Sequence, residues 1–335
     1  MKKRILIIGP DINSWGGVAT CSRTIEQSFV MNDSYSFTHL TTWNNRKWIM
    51  PFIKALFKIK KLSNETDLIH FNLNKRGSTY RILLLSLFIK NKKYIIHMHN
   101  GKYWEFYEKS SSFIKRRIDN LLEKANYIVF VSNYQKEETL SKINLTNKNV
   151  KVIYNGITLS NCKPKKTDKI NVLYFGSIIK RRNIDEYLEL AKDFSNENIK
   201  FVLAGNGSIE GLDIDNVEYH GFVSGKEKEE LLLKSDIIYD HFSESFGLGL
   251  IEAMNHYVCP LVYPIGSIPE IIGNDEYGLL FNNKKEFKEK LLFLNDNKEI
   301  LLKYQEKAHN RSLMFSKDKY IDSFKKLYNE VIENE

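Results

Sequence analysis

Two glutamates, Glu244 and Glu252, are separated by seven residues in a segment rich in glycine. The segment follows a predicted buried strand, 236–239, and its pattern predicts that a helix starts near Phe246 or Gly247. Glycine lets the backbone approach a ligand closely, and the free N–H groups of a helix start can donate to a phosphate. One carboxylate could then accept hydrogen bonds from sugar hydroxyls and the other from a ribose diol. The same spacing is also typical of two ordinary carboxylates on an amphipathic helix.

Cationic side chains form a second group of candidates. Lys180 and Arg182 follow the predicted strand 171–176, so they are expected at the strand end where ligands of open parallel sheets bind. A solvated basic run at a strand end is the alternative interpretation. His99 follows another predicted strand, 94–98, and taken alone it is compatible with a structural histidine.

The sequence offers little for a metal or a disulfide. Its three cysteines, Cys21, Cys162 and Cys259, are widely spaced and form no C-x-x-C pair, so we expect reduced thiols. The segment Asp213-Ile214-Asp215 falls in a predicted surface loop rather than at a strand end. No metal site and no bound cofactor are therefore expected.

Buried strands alternate with helical stretches along the chain, which predicts the α/β class with parallel sheets. The pattern restarts after a polar segment, 161–169, which we interpret as a linker. We therefore expect two Rossmann-like domains, 1–160 and 161–315, that face one another across a cleft. The last stretch, 316–335, predicts a helix with an apolar face. The strands are predicted at 4–8, 67–71, 94–98, 127–131, 171–176, 200–204, 236–239 and 260–262.

Composition supports a folded protein of about two domains. The chain has 335 residues, 42% hydrophobic and 27% charged, which excludes a disordered tail and a small disulfide-stapled scaffold. Its longest apolar run, 82–89, is shorter than the roughly 20 residues that span a bilayer. The apolar stretch after the N-terminal Lys-Lys-Arg is also too short for a signal peptide. We therefore expect a cytoplasmic protein.

The net charge of +9 is unevenly distributed. Residues 1–160 carry 26 Lys and Arg against 11 Asp and Glu, a balance of +15, whereas residues 161–335 carry 24 against 30, a balance of −6. A basic first domain indicates an anionic partner, and nucleic acid, a phosphorylated substrate and a membrane surface all fit.

Several segments together resemble glycosyltransferase family 4, whose retaining enzymes have the two-Rossmann GT-B fold and an E-x(7)-E signature. The resemblance runs in order from about residue 5 to residue 283 and includes the strand ends as well as the two glutamates. The matching segments are Gly16-Gly17-Val18, His99-Asn100-Gly101, Tyr154-Asn155-Gly156-Ile157, Leu203-Ala204-Gly205-Asn206-Gly207, His220-Gly221-Phe222-Val223, Glu244-Ser245-Phe246-Gly247-Leu248, Ile251-Glu252-Ala253-Met254 and Gly266-Ser267-Ile268-Pro269-Glu270.

The resemblance implies a role for each matching residue. Glu244 would contact hydroxyls of the donor sugar and Glu252 the ribose of a nucleotide-sugar. The backbone of Phe246, Gly247 and Leu248 would face the sugar and the diphosphate. From the first domain, Gly16 and Gly17 would close on the phosphates, with His99 near the reacting sugar. The C-terminal helix would return to the first domain.

One departure affects the diphosphate site. The family usually has an Arg directly after the strand-end glycine and a Lys five residues later, but here these positions hold Ser177 and Arg182. An Arg can replace the Lys and adds bidentate phosphate contacts. We expect Arg182 to stabilise the leaving diphosphate, supported by Lys180. A second departure, Tyr257 to Pro260, lies past the helix and predicts only a packing change.

The resemblance implies a metal-independent hexosyl- or N-acetylhexosaminyltransferase, with a UDP-sugar as the preferred donor. Its acceptor would be a saccharide or a lipid-linked oligosaccharide of cell-surface polysaccharide synthesis. A glycolipid glycosyltransferase, and a donor-binding partner subunit weakened at Ser177, are the alternatives. A nicotinamide dehydrogenase is disfavoured because Gly205 and Gly207 lack a third glycine three residues on. A nucleic-acid-binding module is disfavoured because no recognised motif accompanies the basic charge.

The segment 51–62 predicts an amphipathic helix. Lys54, Lys58 and Lys61 share one face at helical spacing, and Phe52, Ile53, Leu56 and Ile59 lie largely opposite. Such a helix could lie on an anionic bilayer, at about 1 kcal/mol per basic residue near the surface. The alternative is an ordinary helix packed on the first-domain sheet. Peripheral attachment to the inner face of the cell membrane is therefore one expectation for the basic domain.

Overall fold

Short apolar segments of the chain form parallel strands in a computed structural model, which describes residues 2–14, 16–29, 34–44, 48–146, 149–165, 168–195, 197–209 and 212–333. In these residues the strands fall into two sheets. The first sheet contains β1 (Lys3–Pro10), β2 (Tyr35–Trp43), β3 (Leu68–Leu73), β4 (Tyr94–Met98), β5 (Tyr127–Phe130) and β6 (Val150–Val152). The second contains β7 (Ile170–Phe175), β8 (Ile199–Ala204), β9 (Val217–Gly221), β10 (Ile237–Asp240), β11 (Cys259–Val262) and β12 (Leu279–Leu280).

Helices connect these strands. Those of the first half are α1 (Gly17–Phe29), α2 (Ile49–Asn64), α3 (Arg76–Leu85), α4 (Tyr103–Glu108), α5 (Ser112–Glu123) and α6 (Asn133–Lys142). Those that follow are α7 (Ile184–Asp193), α8 (Gly225–Lys234), α9 (Leu248–Asn255), α10 (Ile268–Ile272), α11 (Lys284–Asp296), α12 (Lys298–Ser312) and α13 (Lys317–Glu333).

The first sheet has the strand order β2-β1-β3-β4-β5-β6, and every pair is parallel. Successive side chains of a strand point to opposite faces. Ile5 and Ile7 of β1 therefore pack with α1 and α13, whereas Leu6 and Ile8 face the core that includes α2, α3 and α5. Both faces are covered, which is why its central strands are continuous apolar runs.

The second sheet has the order β12-β11-β10-β7-β8-β9, again with parallel pairs. Its core contains large aromatic residues, of which Tyr187, Tyr239 and Phe287 are fully buried. Two doubly wound parallel sheets are the predicted architecture, so the α/β class is confirmed.

The chain divides into two compact units, 1–156 with 317–335, and 157–316. The C-terminal helix α13 packs on the first sheet through Tyr320, Phe324 and Tyr328, as expected. The second unit starts at Ile157 instead of residue 161, because the Ile157 N–H donates to the Phe315 carbonyl (2.9 Å) within that unit. The two termini of the second unit thus lie side by side.

Candidate functional site

Glu244 lies in the loop that leads from β10 to α9, at the carboxyl end of the second sheet. The segment Gly266-Ser267 holds this loop, because both the backbone N–H and the hydroxyl of Ser267 donate to the Glu244 carbonyl (3.2 Å each). At Gly266, which has φ of +66°, an added Cβ would lie 2.7 Å from the same carbonyl. The two motifs, 22 residues apart in sequence, therefore fix one another's backbone.

The Arg182 guanidinium forms an ion pair with the Glu244 carboxylate. Arg182 ends a short 3₁₀ turn, Lys180–Arg182, and its guanidinium carbon lies 4.2 Å from the centre of the Phe242 ring. The next residue, Asn183, has left-handed backbone and donates its side-chain N–H to the His241 carbonyl (3.0 Å). The turn after β7 is thereby tied to the loop after β10, which aims the guanidinium at Glu244.

Glycines bring the ends of β7 and β8 into direct contact. Gly205 has φ of +156°, and a Cβ there would lie 1.5 Å from the Gly176 carbonyl oxygen. Ser177, between these loops, is half-buried, and its carbonyl accepts a hydrogen bond from the Tyr174 hydroxyl (2.9 Å). Lys180 is exposed at the start of the 3₁₀ turn. The three positions predicted around the diphosphate, Ser177, Lys180 and Arg182, thus all follow the end of β7.

A further carboxyl group, Asp240 at the end of β10, belongs to this cluster. Burial and the neighbouring Glu244 carboxylate raise the pKa of Asp240 to about 7, while the Arg182 guanidinium acts against this rise. The carboxylate also accepts a hydrogen bond from the Phe242 backbone N–H (3.1 Å). An acid with this pKa can change charge near neutral pH beside the proposed donor site.

The start of α9 differs slightly from the prediction. Its first residue is Leu248, preceded by Gly247 with φ of +79°. The Phe246 side chain is buried and packs edge-to-face on Phe315, with ring centres 5.6 Å apart. The Phe246 side chain is therefore unavailable to a ligand, and the contact through its backbone stays a prediction.

Glu252 lies one turn into α9, where it pairs with Lys228 of α8 (3.0 Å). Both side chains are about one-third exposed. The backbone carbonyl of Glu252 also accepts a hydrogen bond from the His256 ring (2.7 Å). A ribose diol would therefore share this carboxylate with an ammonium group.

In the first unit, Gly16 and Gly17 are exposed and line a cavity of about 820 Å³. Gly16 has φ of +116°, and a Cβ there would meet nothing within 4 Å. The cavity is also lined by Asn72 of β3, whose side-chain carbonyl lies 2.8 Å from the His99 Nε2. The glycine loop and the histidine predicted from the first domain are thus both connected to this cavity.

His99 is one of three neighbouring histidines. The rings of His97 and His99 have centres 4.0 Å apart, and His97 Nδ1 lies 3.2 Å from His70 Nε2. His70 in turn lies 2.7 Å from the Tyr328 hydroxyl of α13. Burial lowers the pKa of His70 and His99 to about 3 each and that of His97 well below its ordinary value. These imidazoles are neutral at physiological pH, so His99 can serve as a hydrogen-bonding group rather than as a cation.

Sequence reasoning did not find Asp240, Lys228, His70 or His97. Asp240 directly follows the predicted strand 236–239, in front of Glu244, and this position was a usable signal. The pairing of β3 with β4 sets His97 beside Asn72 in the register of the sheet, and no sequence pattern predicts that register.

The predicted amphipathic helix corresponds to α2, but its faces differ from the prediction. Phe52, Ala55 and Ile59 are buried, whereas Ile53 is exposed, so Ile53 does not belong to the inward face. Phe57, which lies between Lys54 and Lys61, is 84% exposed. The outer face of α2 therefore combines apolar and basic side chains.

Two features are absent from the described ranges of the chain. No helix there is long and apolar enough to cross a membrane. No group of three or more His, Cys, Asp or Glu side chains in those ranges is arranged to hold a metal ion.

Two family models match consecutive parts of the chain. Residues 24–161 match "Glycosyltransferase Family 4", and residues 158–311 match "Glycosyl transferases group 1". The chain is therefore a glycosyltransferase with the GT-B fold. More particularly, it carries a family 4 domain followed by a group 1 domain.

One relative and two solved structures are similar to most or all of this chain. A 41.2 kDa protein in the cps region of Klebsiella pneumoniae is 24% identical over 290 residues, which are 79% of either chain. Sucrose-phosphate synthase from Thermosynechococcus elongatus has a TM-score of 0.79 at 15% identity and covers 100% of both chains. HepE of Anabaena, in complex with UDP and glucose, has a TM-score of 0.74 at 15% identity and covers 98% of this chain and 100% of its own.

Proposed function

We propose that this glycosyltransferase is a retaining, metal-independent enzyme that transfers a hexose or N-acetylhexosamine from a UDP-sugar to a saccharide or lipid-linked acceptor in cell-surface polysaccharide synthesis. The observation that carries the proposal is the Arg182–Glu244 ion pair at adjoining strand ends of the second sheet. It sets a cation for a diphosphate beside an acceptor for sugar hydroxyls. The UDP and glucose held by HepE support the donor class, and the cps-region relative supports the pathway.

In this reaction Arg182, with Lys180, neutralises the diphosphate as it leaves, which is the main electrostatic contribution to catalysis. Glu244 accepts hydrogen bonds from donor-sugar hydroxyls, and Glu252 accepts them from the ribose. The backbone around Gly247 contributes N–H donors. From the first domain, Gly16 and Gly17 contact phosphate, and neutral His99 contacts the reacting sugar.

The chemical step breaks the bond between the anomeric carbon and the diphosphate oxygen. The acceptor hydroxyl oxygen bonds to that carbon on the same face, so the configuration is retained. Its proton goes to the leaving diphosphate oxygen, and UDP departs. No metal is needed for charge balance, because the guanidinium and backbone N–H groups face the phosphates.

We also propose a cytoplasmic location with peripheral contact at the inner face of the membrane. The outer face of α2, with Phe57 and its lysines, supports this contact. A growing polysaccharide on a lipid carrier would be presented at that surface. Nucleic acid is not a proposed partner.

A second candidate function is a donor-binding partner subunit with weak or no transfer activity. It is favoured by Ser177, a neutral residue where the family has an Arg. The distinguishing experiment is sugar transfer by the purified chain, since measurable transfer excludes this candidate.

The proposal is tested by calorimetric titration with UDP and with GDP, both in chelator, followed by transfer assays with the matching nucleotide-sugars. Saturable UDP binding with transfer and retained anomeric configuration is expected. Strict dependence on added metal, or an inverted product, contradicts the proposed mechanism. Absence of binding by either nucleotide contradicts the proposed donor site.

A further inference from the structure

The charged side chains that line the cavity of the first unit are all basic. Its walls are largely apolar, yet they include Lys75, Arg76 and Arg81, and no Asp or Glu among the described residues that line it. A cavity with several cations and no carboxylate is suited to an anion.

Arg81 is the strongest of these cations as a ligand candidate. Its Nε is buried and has no hydrogen-bond partner among the residues that the structure describes. Burial also lowers the pKa of Arg81, which reflects a guanidinium taken from water without a carboxylate to compensate it. Such a group is costly unless a ligand satisfies it, and a phosphate accepts two parallel hydrogen bonds from an arginine.

The neighbouring cations face the same cavity from the start of α3. The Arg76 guanidinium carbon lies 5.6 Å from the centre of the Tyr80 ring, which also lines the cavity. Lys75 precedes the helix and is exposed. Neither cation has a carboxylate partner within the part of the chain that the structure describes. Asn74 adds an amide group that suits sugar hydroxyls. The Asn72 side chain is buried and bonded to Ser22 and His99, so it positions His99 at the cavity wall.

The cavity also borders an apolar surface. Trp48 and Leu84 line it and are about half exposed. Around them, exposed apolar side chains continue along α2 and past α3, namely Ile49, Met50, Ile53, Phe57, Leu87 and Phe88. Three lysines of α2, at 54, 58 and 61, accompany this surface. Apolar side chains with interspersed lysines match the boundary of an anionic bilayer.

We propose that this cavity binds the acceptor as a lipid phosphate or lipid diphosphate, with the phosphate on Arg81, Arg76 and Lys75 and the lipid chain leaving over Trp48 and Leu84. The inference rests on the proposed glycosyltransferase function and narrows the acceptor from a saccharide or lipid-linked molecule to a lipid phosphate or diphosphate bound at these three cations. The sugar that follows the phosphate then lies by Asn72, whose side chain contacts His99. Acceptor binding and the candidate catalytic histidine are thereby connected.

The test uses the full chain and two soluble probes, farnesyl-diphospho-N-acetylglucosamine and the farnesyl glycoside of the same sugar without phosphate. Binding is followed by tryptophan fluorescence, since Trp43 and Trp48 line the cavity. Wild type is expected to prefer the diphosphate probe, and Arg81→Gln to lose at least about tenfold in affinity for it, as expected for charge-assisted hydrogen bonds. Arg81→Lys is expected to fall in between. The phosphate-free probe is expected to bind wild type and Arg81→Gln alike.

Arg116→Gln, on the exposed side of α5, is the matched control and should bind like wild type. Equal affinity of Arg81→Gln and Arg116→Gln for the diphosphate probe overturns the proposal, provided that both variants melt like wild type.

UDP titration distinguishes failure of the acceptor-site proposal from failure of the proposed glycosyltransferase function. If Arg81→Gln binds UDP as tightly as wild type does, the result supports an acceptor site. If Arg81→Gln also loses UDP affinity, and UDP displaces the probe from wild type, these cations bind the donor and the acceptor-site proposal is overturned. Absence of UDP binding in wild type counts against the donor function, while the farnesyl probes still decide the role of Arg81.

Discussion

Arg182 and Glu244, 62 residues apart in the chain, form an ion pair at adjoining ends of β7 and β10. The guanidinium proposed for the diphosphate is thus paired with the carboxylate proposed for the donor sugar. Donor binding must therefore exchange one anionic partner of Arg182 for another. Substitutions of the two residues are therefore expected to differ in their effect on nucleotide affinity.

Substitution of either partner tests that exchange. Arg182→Gln should weaken UDP binding by about tenfold to a hundredfold, because charge-assisted contacts to phosphate are lost. Glu244→Gln should leave UDP affinity unchanged or higher, since Arg182 is released, but should lower sugar transfer by at least about a hundredfold. Calorimetry and a transfer assay measure both. Equal loss of UDP affinity in the two variants would mean that the pair is only structural.

Glu252→Gln should weaken UDP binding by about tenfold, because hydrogen bonds from the ribose diol to a charged carboxylate become neutral ones. The same substitution should leave affinity for 2′,3′-dideoxy-UDP almost unchanged. Lys228→Met is the companion variant, since it removes the partner of Glu252 in α8 and leaves the carboxylate in place. If Glu252→Gln weakens both nucleotides equally, the ribose role is wrong.

The pKa of Asp240, raised to about 7, predicts a pH effect on donor affinity. Below that value the group is mostly neutral; above it, an added negative charge faces Arg182 and opposes a diphosphate. The ratio of UDP affinities, Asp240→Asn over wild type, should therefore rise by about threefold to tenfold between about pH 6 and about pH 8. The titration of UDP itself affects both proteins equally and therefore cancels in this ratio. A constant ratio would show that Asp240 does not titrate in this range.

Phe57→Ser should reduce binding to anionic liposomes by about tenfold, because a fully buried phenylalanine contributes roughly 1.5–3 kcal/mol. Sedimentation at low salt measures the bound fraction. Phe293→Ser is a suitable control, since Phe293 is an exposed phenylalanine of the second unit. Identical behaviour of both variants, or no liposome binding by wild type, would exclude α2 as a membrane contact.

The sequence predicted the central strands well, because strands covered on both faces need continuous apolar runs. β2 was missed, since its residues Tyr35–Trp43 form an edge strand in which buried and exposed positions alternate irregularly. β9 is likewise an edge strand with no fully buried residue, and β12 has only two residues. The local sequence pattern thus predicts which strands are buried. Edge strands have too few buried residues to produce a recognisable apolar pattern.

In the candidate site, too, local features were predicted and contacts between distant residues were not. Glu244, Glu252 and the glycine loops were predicted because motif spacing is local. The contacts of Arg182 with Glu244 and of Lys228 with Glu252 depend on which helices and strands become neighbours. Sheet order and register, which set those neighbours, are properties of the whole fold.

Because α13 completes the core beneath β1 and β3, the first unit needs residues from both ends of the chain. Residues 157–316 are all synthesised before Phe324 and Tyr328 are available to that core. N-terminal domains generally fold first during synthesis, but here the core of the first unit can be completed only after the C-terminal helix has been made. A chain that ended after residue 316 would keep α1 on this face of the first sheet but would lose the cover that α13 provides.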